Sequence, residues 1–202
     1  MSKEMTTSSI HYAMSRVKGA IISHADELNS LDGAIGDGDL GVTLSRAVEG
    51  FSGAPPATND VGMLLLEYAK LFTGTAGSTY GTLIATGLIA AAKQTQGRSG
   101  VPWSEVSYLL GVAGAAMAAR GKSQFGDKTV LDAVESARFA TQGFNEPAEL
   151  VSAVVEALRE TIREFHSRPF RQGRARIFGE KGIGREDPGM IAFQYIVESL
   201  QP

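Results

Sequence analysis

The chain has 202 residues, a formal net charge of -3 and a hydrophobic content of 43%. This length suits a single domain over residues 1–202, and the negative charge argues against a nucleic-acid partner, which usually meets a basic surface. Because the sequence has no cysteine, disulfides and thiolate metal sites are excluded. The N-terminus has no signal-peptide core, and the longest apolar run, 83–92, is too short to span a bilayer. We therefore expect a cytoplasmic protein with no membrane segment.

A long amphipathic helix is predicted from Ser9 to Leu31, where apolar residues recur every three or four positions. It leads into a loop in which Asp32, Asp37 and Asp39 alternate with glycines. Two interpretations of this loop are open: a solvated acidic turn, or a site where carboxylate oxygens surround a hard cation such as Mg²⁺ or Ca²⁺. The spacing excludes an EF-hand, because Gly41 stands where a ligand would be needed.

The same periodicity predicts further helices along the rest of the chain. They cover 42–51, 64–71, 83–91, 104–121, 130–137, 147–166 and 191–200. The stretch 96–103 is expected to be a polar connection, and no alternating run of β-branched residues suggests a sheet. We therefore predict an all-α protein, an up-and-down antiparallel bundle or barrel of about eight helices.

Helix ends carry their own signals. Asp127 is expected to cap the helix that begins near Val130, and Asp187, followed by Pro188, is expected to cap the last helix. His11 and His24 lie on the first helix without evident partners, and we assign them no chemistry.

Two other loops bear on ligand binding. The glycine- and hydroxyl-rich stretch 73–82 precedes a helix whose free N–H groups can receive an anion. For this loop taken alone, an ordinary turn between helices is the favoured interpretation. Gly121-Lys122-Ser123 resembles the end of a Walker A loop, but Ala116 stands where that motif has glycine and no strand precedes it. We therefore reject a P-loop. Lys128 is a candidate to neutralise phosphate.

Alternate loops of an up-and-down bundle lie at the same end. By this rule the acidic loop, the loop 73–81, the loop 122–128 and the basic loop 168–187 share one end of the molecule. Carboxylates, glycines and basic side chains would then meet there. This convergence favours a metal and phosphate site over a solvated turn.

At these loops the sequence resembles the nucleotide-binding L subunit of dihydroxyacetone kinases. The motifs follow one another in order from about Asp26 to Leu200. They are Leu31-Asp32 with Ile35-Gly36-Asp37-Gly38-Asp39, Gly74 to Thr82, Arg120-Gly121-Lys122 with Gly126-Asp127-Lys128-Thr129, Gly173-Arg174-Ala175, and Gly179-Glu180-Lys181 with Ile183-Gly184 and Asp187-Pro188-Gly189.

The resemblance implies a helical barrel that holds ADP or ATP through two Mg²⁺ ions at one end. On that pattern the metal ligands are Asp32, Asp37 and Asp39. The residues that would surround the nucleotide are Leu40, Gly41, Val42, Thr43, Thr75, Ala76, Gly121, Val130, Arg174, Asp187, Pro188 and Gly189. Arg185 and Lys128 are expected to help Arg174 offset the phosphate charge.

The resemblance also implies a partner. In this family a separate K subunit holds the small ketose covalently on a histidine, and the phosphoryl group crosses between subunits; the donor is either ATP or a phosphotransfer protein. The family commonly has histidine directly after the third aspartate, where this chain has Leu40. Leucine cannot donate a hydrogen bond to phosphate, so that contact is lost or replaced. Two functions are therefore carried forward: a subunit of a small-ketose kinase, and a nucleotide-sensing regulatory module without phosphotransfer activity.

Overall fold

The computed structural model describes residues 4–51, 53, 54, 56–74 and 78–202. The helices are α1 (Thr7–Ser23), α2 (Ala25–Gly33), α3 (Leu40–Glu49), α4 (Val61–Thr73), α5 (Thr79–Thr95), α6 (Val106–Gly121), α7 (Val130–Ala140), α8 (Pro147–His166) and α9 (Pro188–Glu198). Short 3-10 helices cover Trp103–Glu105 and Arg174–Gly182. The predicted all-α class is confirmed.

The helices form a closed ring around one main core. From α3 to α9 each helix packs against the next, and α1 and α2 pack against both α3 and α9. Leu44, Leu131, Leu158 and Ala192, from four different helices, are fully buried in this core. The first and last helices therefore lie side by side, as an up-and-down barrel requires.

The prediction of one helix from Ser9 to Leu31 is wrong, because the chain breaks at His24. The backbone of His24 leaves helical geometry (φ -106°, ψ 9°), and its Nδ1 lies 2.9 Å from the carbonyl oxygen of Ala20. Its ring stacks on Tyr195 with 3.9 Å between centroids. The apolar stripe continues across the break, since Ile21 and Leu28 are both fully buried, so periodicity alone does not reveal it.

His11 also has partners that the sequence did not indicate. Its Nδ1 lies 3.1 Å from the hydroxyl of Tyr68, its Nε2 lies 3.2 Å from the carbonyl oxygen of Gly53, and its ring packs against Phe51. Both histidines thus have structural roles.

The stretch 96–103 is more than a polar connection. Within it, β2 (Gly100–Pro102) pairs antiparallel with β1 (Glu4–Thr6). Val101 is fully buried in a small cluster with Val61 and Leu109. β2 is three residues long and has Val101 between a glycine and a proline, so it shows no alternating pattern from which the sequence could predict a strand.

The N-caps position the ends of several helices. Asp187 accepts a hydrogen bond from the Met190 amide at 2.8 Å, so the predicted cap of α9 is confirmed. The predicted cap of α7 is wrong: Thr129 takes that position, and the Asp127 carboxylate instead accepts from the Gln124 amide at 2.7 Å.

Close backbone contact fixes the crossing of α2 and α3. A methyl group built on Gly41 would lie 1.9 Å from the carbonyl oxygen of Ala25. Only glycine permits this approach, and it sets the angle at which the acidic loop leaves α2 and enters α3. None of the described helices combines the length with the apolar character needed to cross a bilayer.

Candidate nucleotide and metal site

A cavity of about 250 Å³ opens where the loops assigned to one end of the barrel meet. Its walls come from the acidic loop, the start of α5, the α6–α7 connection, the 3-10 segment after α8, and the start of α9. The residues that line it are Asp32, Ile35, Gly36, Asp37, Asp39, Leu40, Ser78, Thr79, Tyr80, Leu83, Gly121, Ser123, Thr129, Val130, Gln172, Gly173, Arg174, Ala175, Asp187, Pro188 and Gly189.

Three carboxylates converge at the rim of this cavity. Asp32, Asp37 and Asp39 each offer an oxygen, and these oxygens lie within 4.8 Å of one another. Asp32 stands in the last turn of α2, whereas the other two lie in the loop before α3. Among the described residues, no other group of three or more acidic or histidine side chains comes together in this way.

The backbone of the acidic loop holds the cluster in place. The Asp39 amide donates to Oδ2 of Asp32 at 3.0 Å, and the Gly36 amide donates to the Asp32 carbonyl at 2.6 Å. A methyl group at Gly36 would lie 2.4 Å from Oδ1 of Asp32, and Gly38 has a φ of 75°. The glycines therefore let the loop fold tightly enough for the carboxylates to converge.

Arg174 forms an ion pair with Asp37 from across the cavity. The hydrogen bond and charge of Asp37, with smaller contributions from Asp39 and Asp32, raise the pKa of the Arg174 guanidinium. One guanidinium leaves most of the charge of three carboxylates uncompensated. The donor set consists of oxygens alone and is partly exposed, so it fits a hard divalent cation such as Mg²⁺.

The predicted nucleotide-binding residues fall into three groups. Those that line the cavity are Leu40, Gly121, Val130, Arg174, Asp187, Pro188 and Gly189. Gly41, Val42 and Thr43 do not: Gly41 packs on α2, the Val42 amide donates to Oδ1 of Asn29 at 3.1 Å, and Thr43 lines a separate groove between α3 and α4. Thr75 and Ala76 lie outside the described residues.

One wall of the cavity is apolar. Leu40 belongs to the main core and is only 6% exposed, and Leu83, Val130 and Pro188 line the same cavity and are also buried. The side chain at the position after the third aspartate therefore contributes packing and an apolar surface instead of a hydrogen-bond donor.

Asp187 joins this wall to the start of α9. Burial raises the pKa of its carboxyl to about 7, and the charge of Asp132 acts in the same direction. The hydrogen bond from Met190 and the charge of Lys128 oppose this shift. Asp187 thus lines the cavity with a carboxyl that changes charge near neutral pH.

The two other basic candidates lie differently from one another. Lys128 is 1% exposed, and its ammonium donates to the Arg168 carbonyl at 2.9 Å, so the expectation that it neutralises phosphate is wrong. Arg185 donates from Nη1 to the Ala34 carbonyl at 3.2 Å, beside the acidic loop.

Several lining residues were not predicted from the sequence. Gln172 donates from Nε2 to the carbonyls of Lys122 at 2.8 Å and Gly121 at 3.1 Å, which joins the stretch just before the 3-10 helix to the end of α6. The Tyr80 hydroxyl is buried with no hydrogen-bond partner among the described residues, and burial raises its pKa. Tyr80 belongs to the motif Tyr80-Gly81-Thr82, which was the available signal; Gln172 had none.

Known proteins are similar to this chain over most of its length. It is 30% identical over 192 residues to the "PEP-dependent dihydroxyacetone kinase, ADP-binding subunit DhaL" of Escherichia coli, covering 90% of each chain. It is 30% identical over 195 residues to the corresponding kinase 2 subunit of Listeria innocua, covering 91% of this chain and 90% of the relative. The match to the rat "Triokinase/FMN cyclase" is 29% identical and covers 99% of this chain but 35% of that protein.

Solved structures show the same fold. The dihydroxyacetone kinase of C. freundii superposes with a TM-score of 0.75 at 22% identity over 98% of this chain, which corresponds to 35% of that chain. The same kinase in complex with AMP-PNP and Mg²⁺ gives a TM-score of 0.74. The family model described as DAK2 domain matches residues 34–201. The predicted family is thus confirmed, and the chain belongs to the DAK2 domain family.

Proposed function

We propose that this chain is the nucleotide-binding subunit of a kinase that acts on a small ketose such as dihydroxyacetone. It presents the phosphoryl group of Mg-ATP, or one carried on Mg-ADP, to a separate K-type subunit that binds the ketose. The single observation that carries this proposal is the carboxylate cluster, whose oxygens lie within 4.8 Å of one another at the rim of a half-apolar cavity. The relatives named ADP-binding subunits support the assignment.

Charge balance argues for metal as part of the site. The three carboxylates carry three negative charges and a nucleoside triphosphate roughly four, so they repel each other unless cations lie between them. We propose two Mg²⁺ ions, held by Asp32, Asp37 and Asp39. When bound, they would neutralise phosphate charge and stabilise the transferring phosphoryl group. Arg174 supplies a further donor on the opposite side.

The protein's own contribution is positioning. The apolar surfaces of Leu40, Leu83 and Val130 offer a place for the base and exclude water, while the rim holds the phosphates. None of the described residues that line the cavity is a histidine. Phosphoryl transfer depends mainly on orientation and charge, so a subunit whose cavity offers no histidine can serve if the partner supplies the acceptor.

Calorimetric titration of ADP with Mg²⁺ tests the site. Asp37→Asn keeps the shape of the side chain but removes a ligand charge, and we expect Mg-dependent binding to fall by at least about tenfold. The matched control is Asp26→Asn, which removes an exposed carboxylate from the same region, on the first turn of α2. Circular dichroism should show unchanged helicity in both variants.

Equal affinity of the wild type and Asp37→Asn would overturn the site, as would nucleotide binding that does not change when Mg²⁺ is removed. Failure of the wild type to bind any nucleotide would overturn the function itself.

A second function is favoured by Leu40. Because its side chain cannot contact phosphate as a donor, the site suits a module that binds nucleotide and reports it to another protein without transferring phosphate. A coupled assay separates the two functions. The chain is combined with a K-type subunit and a panel of ketoses, with ATP or a phosphotransfer protein as donor. Turnover of any ketose supports the kinase subunit, and tight Mg-ADP binding without turnover supports the sensor.

A further inference from the structure

Residues 168–182 form a loop that leaves the end of α8, crosses the cavity and returns towards α9. We refer to it as the arginine loop, because it carries Arg174 to the carboxylate cluster. Just outside the loop, its flanking residues are joined by a hydrogen bond from the Gly184 amide to the His166 carbonyl at 2.8 Å. The position of Arg174 therefore depends on what holds the two ends of this loop.

Lys128 lies between the two ends of the arginine loop. Its ammonium donates to the carbonyl of Arg168 at 2.9 Å and lies 3.5 Å from the carbonyl of Gly182, the two ends of the arginine loop. It also lies 4.2 Å from the ring centroid of Phe170. Lys128 is 1% exposed, and its backbone has a φ of 63°, an unusual value for a residue other than glycine.

Phe170 connects these loop ends to the rest of the arginine loop. The Phe170 ring packs against Gly182, where a methyl group would lie 2.5 Å from the ring edge. Phe170 also forms a small buried cluster with Ile35 of the acidic loop and Ala175, the neighbour of Arg174. A continuous path of contacts thus runs from Lys128 through Phe170 to the residues on both sides of the Arg174–Asp37 pair.

A buried ammonium is costly unless hydrogen bonds and charges compensate it. Burial lowers the pKa of Lys128, and the charges of Asp187 and Glu186 partly oppose this shift. An apolar side chain of equal length would fill the same space without that cost, but it could not bind two carbonyls at once.

We propose that Lys128 is a positioning residue: it ties both ends of the arginine loop and thereby holds Arg174 at the carboxylate cluster. Its effect on nucleotide affinity rests on the proposed function, whereas its effect on the loop does not. The first test therefore measures the loop alone.

Because the chain has no cysteine, Ile177→Cys gives a unique labelling site; Ile177 is 81% exposed on the arginine loop. A nitroxide at this position reports local mobility by electron paramagnetic resonance. We expect Lys128→Met to narrow the spectrum, with the thermal midpoint and helicity measured alongside. The control Lys93→Met removes an exposed charge at the end of α5 and should leave the spectrum unchanged. Should Lys128→Met fail to fold, Phe170→Leu removes the ring beneath the ammonium and should also mobilise the label.

The second test is a double-mutant cycle on Mg-ADP affinity. Loss of hydrogen bonds from a charged group predicts roughly tenfold weaker binding for Lys128→Met. If Lys128 acts through Arg174, adding Lys128→Met to Arg174→Met should cause little further loss, because residues that act as a unit are not additive.

An unchanged nitroxide spectrum in folded Lys128→Met and Phe170→Leu would overturn the proposal, and so would fully additive losses in the cycle. Absence of Mg-ADP binding in the wild type would instead overturn the proposed function and leave the spectroscopic result standing.

Discussion

Arg174 and Asp37 form an ion pair that joins the loop after α8 to the acidic loop before α3. The same carboxylate belongs to the cluster that fits a divalent cation. A cation and the guanidinium therefore compete for Asp37 until phosphate offers Arg174 another anion. The ion pair with Asp37 therefore holds Arg174 beside the proposed metal site, in reach of a phosphate group.

Arg174→Met should change metal and nucleotide binding in opposite directions. Without the guanidinium, Mn²⁺ alone should bind up to about fivefold more tightly, since an exposed ion pair competes only weakly with a cation for the carboxylate. Mg-ADP should bind about tenfold more weakly, because a charge-assisted contact is lost. Mn²⁺ resonance and calorimetry measure the two effects. Arg176→Met, exposed on the same loop, is the control, and weaker binding of both ligands by Arg174→Met would contradict the competition.

Asp187 should make the stability of the fold depend on pH. Its folded pKa of about 7 lies above the ordinary value of 3.8, so the folded protein retains a proton that the unfolded chain releases. This contribution is fully present below about pH 4 and is lost as the pH rises through 7. Asp187→Asn keeps a capping side chain. Its free energy of unfolding relative to that of the wild type should increase by on the order of 1 to 3 kcal/mol as the pH rises from 4 to 8.

Urea denaturation at several pH values measures that difference. Asp60→Asn is a control with the opposite sign, because hydrogen bonds from Met63 and Gly97 lower the pKa of the Asp60 cap. The stability that Asp60 contributes is present above pH 4 and is lost under more acidic conditions. If the free energies of unfolding of the wild type and Asp187→Asn differ by the same amount at every pH, burial does not raise the pKa of Asp187.

Gly41→Ala should destabilise the protein although alanine favours helices. The added methyl group would lie 1.9 Å from the Ala25 carbonyl oxygen, so α2 and α3 must separate at a cost of about 1 to 3 kcal/mol or more. Gly19→Ala on α1 is the matched control, since nothing lies within 4 Å of the new methyl group. That substitution should stabilise by about 0.5 to 1 kcal/mol. Chemical denaturation measures both, and equal effects at the two positions would refute the close packing.

Much of this architecture could be predicted from the sequence because helices and loop polarity are local properties. The apolar stripe of each helix, and the rule that alternate loops share an end, were enough to bring the acidic loop and Arg174 together. The break at His24 was not predictable in the same way. Periodicity reports which side of a chain is buried, and that side is the same before and after His24.

The basic residues show where local reasoning ends. In the sequence, Lys128 and Arg174 look equally suited to bind phosphate. In the structure, the Lys128 ammonium is buried between the ends of the arginine loop, whereas the Arg174 guanidinium reaches Asp37. Burial of a lysine depends on carbonyls that become neighbours only after the chain has folded, here those of Arg168 and Gly182. No spacing rule encodes that distinction.

The ring of helices has a seam where its first and last members touch, and the cavity lies across that seam: Asp32 ends α2 on one side, and Pro188 begins α9 on the other. Contacts between such remote parts of a chain cost the most loop entropy to form. A ligand that contacts both sides would stabilise the closed barrel, because its binding energy would oppose separation of the first and last helices.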